Sequence, residues 1–328
     1  MANQTRARGV GSVLLGAFES TYGTAPDGSG GGVYTKYPFN QYTLGKAEGI
    51  TRDPLLGIGR DVGDSHADAF TVAGNVRVPV DHVDFGDWLK LMMGAPDTTD
   101  NEDTTYDHVF TGGGTDLPSM ALQLGHEHLS TVKRFRHTGV RADTLALESG
   151  RGGPAWATLG LIAQDETEEV AAIDGTPVAT NILVPNHFQK RRGIMTLGGS
   201  SIGSLMGWSL NLANNLEAVE TIRDDGAIED ADPGEFVATG SLTIRFSTAT
   251  DVPTPGRNKT PVALALTYDN ADSSRSLTFA LPRVFLPQVA RQVDGPDGIE
   301  VTYNFEAAKD STAGYAARAT LVNAVASY

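Results

Sequence analysis

The sequence contains no cysteine, which removes disulfides, thiolate nucleophiles and Cys-ligated zinc or iron–sulfur centres. Stability must come from packing or assembly. Nor is there a run approaching the roughly 18 apolar residues of a membrane span. The start, Met1-Ala-Asn-Gln-Thr-Arg-Ala-Arg-Gly9, is followed by nothing more apolar than Val13-Leu-Leu15. The expectation is a product made and kept in a cytoplasm until something releases it. Basic residues are scarce: 25 Lys plus Arg stand against 40 Asp plus Glu, a net charge of −15 over 328 residues. A protein that grips nucleic acid needs a Lys/Arg footprint to release phosphate counterions, so that class is disfavoured, although an acidic protein can let DNA pass. What is abundant is turn chemistry, with 38 Gly and 16 Pro, in a chain long enough for about two domains.

Most ordered segments alternate with period two. In Phe70-Thr-Val-Ala-Gly-Asn-Val-Arg-Val-Pro-Val80, Phe70, Val72, Gly74, Val76, Val78 and Val80 share one face, and Thr71, Asn75 and Arg77 the other. Similar strands are expected at 120–124, 140–147, 155–163, 205–212, 236–246, 262–268, 299–307 and 317–325, so the fold class is mainly β. One segment has the helical period: Phe85, Trp88, Leu89 and Met92 form a stripe, with Asp84 as expected N-cap, Gly94 at C′ and Pro96 beyond it. Its expected role is to cover the open end of a sheet.

The two halves of the chain resemble each other. Tyr42-Thr-Leu44 aligns with Trp208-Ser-Leu210 at an offset of 166, and Phe70, Val72, Gly74, Val76, Val78 and Val80 align with Phe236, Ala238, Gly240, Leu242, Ile244 and Phe246 at the same offset. Further on, Met120-Ala-Leu-Gln-Leu124 matches Val262-Ala-Leu-Ala-Leu266 at 142, Phe135, Val140 and Leu145 match Phe279, Val284 and Val289 at 144, and Ala163-Gln-Asp165 matches Ala308-Lys-Asp310 at 145. A net deletion of 24 residues in the second copy explains the change, and it falls where the first copy has its helix and the acidic segment 97–107. The second has only Asp251-Val-Pro-Thr-Pro-Gly-Arg-Asn-Lys259 there. The reading is an N-terminal arm (1–36), a first β domain (37–166), a linker (167–199) and a second β domain (200–328).

Motifs for chemistry are weak. His126-Glu-His128 projects two imidazoles from one strand face, with His137 near them in sequence, a conceivable metal pair that lacks a convincing third ligand. Asp97-Thr-Thr-Asp-Asn-Glu-Asp103 has the composition of a calcium loop without its Gly at position 6 or Glu at position 12, and reads better as a solvated hairpin tip. Gly57-Ile-Gly59 and Gly112-Gly-Gly114 fail the dinucleotide fingerprint. No Gly-x-Ser-x-Gly elbow or phosphate loop occurs, and no cofactor is expected. Lys190-Arg-Arg192 is the one basic triplet, suited to pairing with a neighbouring subunit's acidic surface.

The segment Arg52-Asp-Pro-Leu-Leu-Gly-Ile-Gly-Arg-Asp61 differs in kind. Two Arg-Asp pairs flank an apolar Leu-Leu, a pattern suited to burying its centre against a partner while pairing charges at the rim, or to folding back on its own domain.

Here the chain resembles a known family. Ala7-Arg-Gly9 with Leu14-Leu-Gly-Ala-Phe-Glu-Ser-Thr-Tyr-Gly-Thr-Ala-Pro26, Asp53-Pro-Leu-Leu-Gly57 with Gly59-Arg-Asp61, Phe85-Gly86 with Trp88-Leu89, and Leu159-Gly-Leu-Ile-Ala-Gln164 look like the tail tube proteins of long-tailed, non-contractile bacteriophages. The resemblance implies a structural subunit with no enzymatic activity, made of phage-tail-tube-like β-sandwich or barrel domains whose strands join a barrel between subunits. Six domains would make a ring, and rings would stack into a hollow tube that conducts DNA without binding it specifically. The repeat places the chain with family members that carry a duplicated domain, so a homotrimer would supply the six. Arg52, Asp53, Leu55, Leu56, Arg60 and Asp61 would then make inter-ring contacts. Tail terminator, tape measure and distal tail proteins would be partners, with no membrane involved; assembly would occur in the host cytoplasm and the final location would be the virion tail. Two other classes stay open on the residues alone. One is a virion-surface β-sandwich adhesin binding glycan or calcium at residues 97–107. The other is a β-sandwich hydrolase with a carboxylate pair.

Overall fold

The computed structural model describes residues 5–57, 60–169, 171, 173, 176–178, 186–246, 259–270, 274–290, 293 and 295–328. The first half holds β1 (Ser12–Phe18), β2 (Thr35–Tyr37), β3 (Gln41–Tyr42), β4 (Gly45–Arg52), β5 (Ser65–Pro79), α1 (Phe85–Met93), β6 (Asp97–Asp100), β7 (Tyr106–Thr111), β8 (Met120–His126), β9 (Lys133–Ser149), β10 (Trp156–Ala163) and β11 (Asp165–Glu169). The second holds β12 (Gly193–Leu197), β13 (Ser200–Ser201), β14 (Leu205–Ala213), β15 (Glu217–Val219), β16 (Asp230–Asp232), β17 (Val237–Arg245), β18 (Val262–Asp269), β19 (Ser276–Phe285), β20 (Glu300–Ala307) and β21 (Arg318–Asn323). The chain is mostly β with one short helix.

Strands that alternate in sequence alternate in burial. Along β10, Ala157, Leu159, Leu161 and Ala163 are buried and the residues between them are half-exposed; β20 does the same with Val301, Tyr303 and Phe305. These faces belong to one antiparallel sheet that crosses both halves in the order β4–β5–β10–β9–β14–β17–β20. The two halves meet at β9 and β14, where Leu145 faces Leu212 and Leu147 faces Leu210. Packed over its apolar face are two further layers, β2–β1–β8–β9–β11 and β13–β12–β18–β19–β21–β7–β6. β9 serves two layers: residues up to Val140 pair with β8 and those from Arg141 with β10. Gly139 sits at the changeover with φ +62°, a conformation glycine adopts without steric cost. The seam between β21 and β7 adds a second junction, so the core is shared by both halves.

Several segments differ from the sequence reading. Ser12–Phe18 is an inner strand rather than part of an arm, with Leu14, Leu15 and Ala17 buried and β8 paired along its whole length. The acidic run 165–169 is β11, paired with the basic stretch of β9: Glu168 meets Lys133, and Glu169 lies opposite Arg134. β20 ends at Ala307, opposite Ala238, and β10 ends at Ala163, opposite Val72. The turn at 174–177 begins at residues outside the described set, as do 251–258.

The helix forms as expected, and Gly94 closes it with φ +93° and its N–H on the Lys90 carbonyl. Asp84 occupies the N-cap position, but its side chain accepts no capping hydrogen bond. Asp81 does the local work instead, its Oδ1 accepting the N–H groups of Val83 at 2.7 Å and Asp84 at 2.6 Å. Burial also reaches beyond the stripe to Leu91 and Met93; nearby, Asn214 donates to the Met92 carbonyl at 2.9 Å and Tyr328 lies over Gly86.

Burial beside Asp81 and Asp87 pushes the Asp84 carboxyl up to about 7. A raised carboxyl holds its proton more tightly in the folded chain, so its contribution to stability is present at low pH and lost as pH rises through about 7. Asp84→Asn is expected to stabilise the unassembled chain by about 1 kcal/mol at pH 8, after allowance for solvent screening, and by less at pH 5. Thermal melts at both pH values check this; an equal shift at both would contradict it.

Candidate assembly surfaces

β4 and the first part of β5 form a hairpin that stands away from the core: residues 46–52 and 65–69 are exposed, and burial begins at Phe70. Its base is pinned by Lys46. The ammonium lies 3.3 Å from the centroid of the Phe70 ring and 3.1 Å from Asp165 Oδ1. Farther out, Thr51 donates its hydroxyl to Asp68 at 2.5 Å.

At the tip, Asp53 receives the Leu55 N–H on its carbonyl at 2.9 Å and donates its own N–H to Asp64 at 3.2 Å. Its carboxylate is 4.0 Å from the His66 imidazole. Leu55 is 55% exposed and Leu56 99%, so the apolar centre does not fold back on its own domain. Ile58 and Gly59 lie outside the described residues. Arg52, Arg60 and Asp61 are exposed and make no ion pair among the described residues. The hairpin thus brings all six singled-out residues to one projecting tip, where Ile50 and Val62, 75% and 70% exposed, enlarge the apolar surface. The sequence reading missed these two, since neither lies in a segment with visible period; the Val62-Gly63 turn opening β5 was the available signal.

β4 is also an edge. Its pairing with β5 uses the N–H groups of odd residues, so the N–H of Lys46 points outward, where Glu166 accepts it at 3.0 Å. Glu166 also contacts His137 at 2.9 Å, and the other ring nitrogen of His137 lies 3.0 Å from the Tyr42 hydroxyl. Burial pushes His137 down and Tyr42 up, against which the Glu166 charge only partly holds the imidazolium.

The second surface is the open face of the sheet. It carries Thr71, Asn75 and Arg77 in the first half and Ser241, Thr243 and Arg245 in the second, as the alternation implies. Hydroxyls pair across strands, Ser209 with Ser241 at 2.7 Å and Thr243 with Thr302 at 2.9 Å. Arg245 lies opposite Glu300, the Arg77 charge acts on Glu148, and Glu306 stands opposite Thr239, so this face is polar without being basic.

Other candidates resolve into local structure. His126 contacts Ser12 and His128 accepts the Arg8 N–H, while His137 is engaged elsewhere. Segment 97–107 is the β6–β7 hairpin, and its carboxylates accept hydrogen bonds from their own turn: Asp103 from Thr105, Asp107 from Asn101. Among the described residues no cluster of three metal-ligating side chains occurs. Two members of the basic triplet are paired within the chain, Lys190 with Glu148 and Arg192 with Asp269 at 2.9 Å.

No curated protein matches the chain. A family model described as phage tail tube protein matches residues 9–307, nearly the whole sequence. The chain therefore belongs to the phage tail tube proteins, structural components of the virion that assemble with themselves and are not enzymes.

Proposed function

We propose that this chain carries two copies of the tube domain and that three chains close into a pseudo-sixfold ring, which stacks into a hollow tube for DNA ejection. The observation that carries this reading is strand pairing that repeats register for register between the halves. Tyr42 faces Val76 as Trp208 faces Leu242, both pairs separated by the sequence offset of 166. Gly74 faces Leu161 as Gly240 faces Phe305. Leu122 faces His137 as Leu264 faces Leu281, each next to a bulge, between Met120 and Leu122 and between Val262 and Leu264. β11 and β21 flank β9 and β19 alike, and β1 and β12 flank β8 and β18.

Closing such a sheet across subunits removes its edges, and heterologous closure by threefold rotation gives a ring that can stack. The open face, with small polar residues and balanced charge, would line the lumen. Duplex DNA carries one charge per roughly 1.7 Å, and a lining that releases no counterions leaves it free to slide. The hairpin tip at 52–61 would reach the next ring. Tail terminator, tape measure and distal tail proteins would meet the tube at its ends, with assembly in the host cytoplasm.

Negative-stain microscopy of the purified chain tests this: hollow stacked-ring tubes are expected, with threefold end views in which two similar densities alternate. A protein that stays monomeric under every nucleating condition overturns the tube reading. Strict sixfold density overturns the trimer.

A further inference from the structure

Within the chain, β9 from Arg141 onward is held on both sides, by β10 and by β14. Its counterpart in the second half is held on neither for most of its length. β19 reaches β20 only at Val284 opposite Ala307 and Phe285 opposite Glu306. Beyond that point residues 286–290 belong to no strand, and two cavities separate this stretch from β20. One, of about 840 Å³, has residues 285–288 on one wall and residues 304–306 on another, and extends over β17 to Ser209 and Asn211 of β14. The other, of about 660 Å³, lies between Val289, Ala290 and Val293 and residues 299–302. Phe285 and Val293 are 41% and 69% exposed. At the opposite end of the same sheet, no strand among the described residues pairs with the outer side of β4, and the outward N–H of Lys46 is satisfied by a carboxylate.

We infer that residues 286–290 are the closing strand of the ring, zipping onto β20 of their own chain and onto β4 of a second copy, with Val289 opposite that copy's Lys46. The inference rests on the tube reading and takes its register from the internal junction. There Thr144 faces Ala213 and Leu145 faces Leu212. Moved by the offsets that relate the halves, 144 for β9 and 166 for β14, these pairs become Gln288 opposite Ala47 and Val289 opposite Lys46. Two independent features agree with that register. Pro287 falls at the position of Asp143, the extra residue where the β9–β10 ladder slips between Gly160 and Leu161, and a bulge is where a sheet tolerates proline. The Lys46 N–H, now on Glu166, is turned toward the place where the Val289 carbonyl would stand, as the Leu212 N–H is turned toward Leu145. Glu166 thus covers the edge of the free subunit until the neighbour's strand replaces it.

The absence of cysteine makes the test clean. Ala47 and Gln288 would form a non-hydrogen-bonded antiparallel pair, whose ~4.5 Å Cα separation suits a disulfide. Tubes of an A47C/Q288C double variant, assembled reduced and then oxidised, are expected to yield covalent trimers on a denaturing gel, while A47C/A290C, two residues out of register, yields mostly monomer. Efficient cross-linking of the second pair and not the first overturns the register. If the double variants do not assemble, hydrogen exchange on wild-type tubes decides: the amides of Leu286, Gln288, Val289, Ala290 and Lys46 should exchange at least ~10-fold more slowly in tubes than in free subunits, and unchanged exchange overturns the strand. A wild-type chain that forms no tubes defeats the tube reading itself, and this inference with it.

Discussion

Replacing Leu55 and Leu56 together by Asp is expected to abolish tube formation while leaving the melting temperature of the free subunit within about 2 °C of the parent. The asymmetry follows from where the two side chains stand. Leu56 is 99% exposed and Leu55 55%, so the free chain loses almost no packing. In a stacked tube each leucine would contribute about 1.5–3 kcal/mol on burial against the adjoining ring, and placing a carboxylate in the same pocket adds a desolvation cost. The loss recurs at every ring-to-ring contact. Exchanging the charges at Arg60 and Asp61, which make no ion pair among the described residues, should block assembly in the same way if they complete the rim of that contact. Sedimentation and negative-stain length distributions read the outcome. Tubes of normal length from either variant would remove the tip from the ring interface.

The legibility of these surfaces in the sequence depends on how many faces of a strand are buried. β5, β10 and β20 were visible because one face packs on the core and the other does not, which writes period two into the residues. β1 failed this test from the apolar side: Val13-Leu-Leu-Gly-Ala17 packs on both faces and carries no alternation. β4 failed it from the polar side, since Gly-Lys-Ala-Glu-Gly-Ile-Thr-Arg faces solvent along nearly all its length. β11 is held by charge across the strand, Glu168 to Lys133, and a one-dimensional pattern does not contain its partner. The loop at 52–61 was recognisable because its composition is unusual for a turn. The edge of β4 and its Glu166 cover were not, because a free N–H is a property of pairing and not of residue type.

The matched glycines carry the largest expected effect on folding. Gly74→Ala and Gly240→Ala are each expected to destabilise the chain by about 2–4 kcal/mol in urea unfolding. Neither residue has a positive φ, so the cost is steric. A Cβ on Gly74 would stand 2.3 Å from the Thr43 carbonyl oxygen and 2.5 Å from the Leu44 nitrogen. On Gly240 it would stand 2.2 Å from the Ser209 carbonyl oxygen and 2.4 Å from the Phe305 ring. Thr43 and Ser209 are themselves separated by 166 residues, so the same close approach of backbone to backbone occurs in both halves, and main chain cannot swing aside as a flexible side chain would. Gly114, with nothing near its missing Cβ, is the control and should accept alanine with a change within about 0.5 kcal/mol. Because β14 pairs along β9 and β21 along β7, both substitutions should lower a single cooperative transition. Two separate transitions, with each variant shifting only one, would mean that the halves fold independently and that the β9–β14 seam contributes little to holding them together.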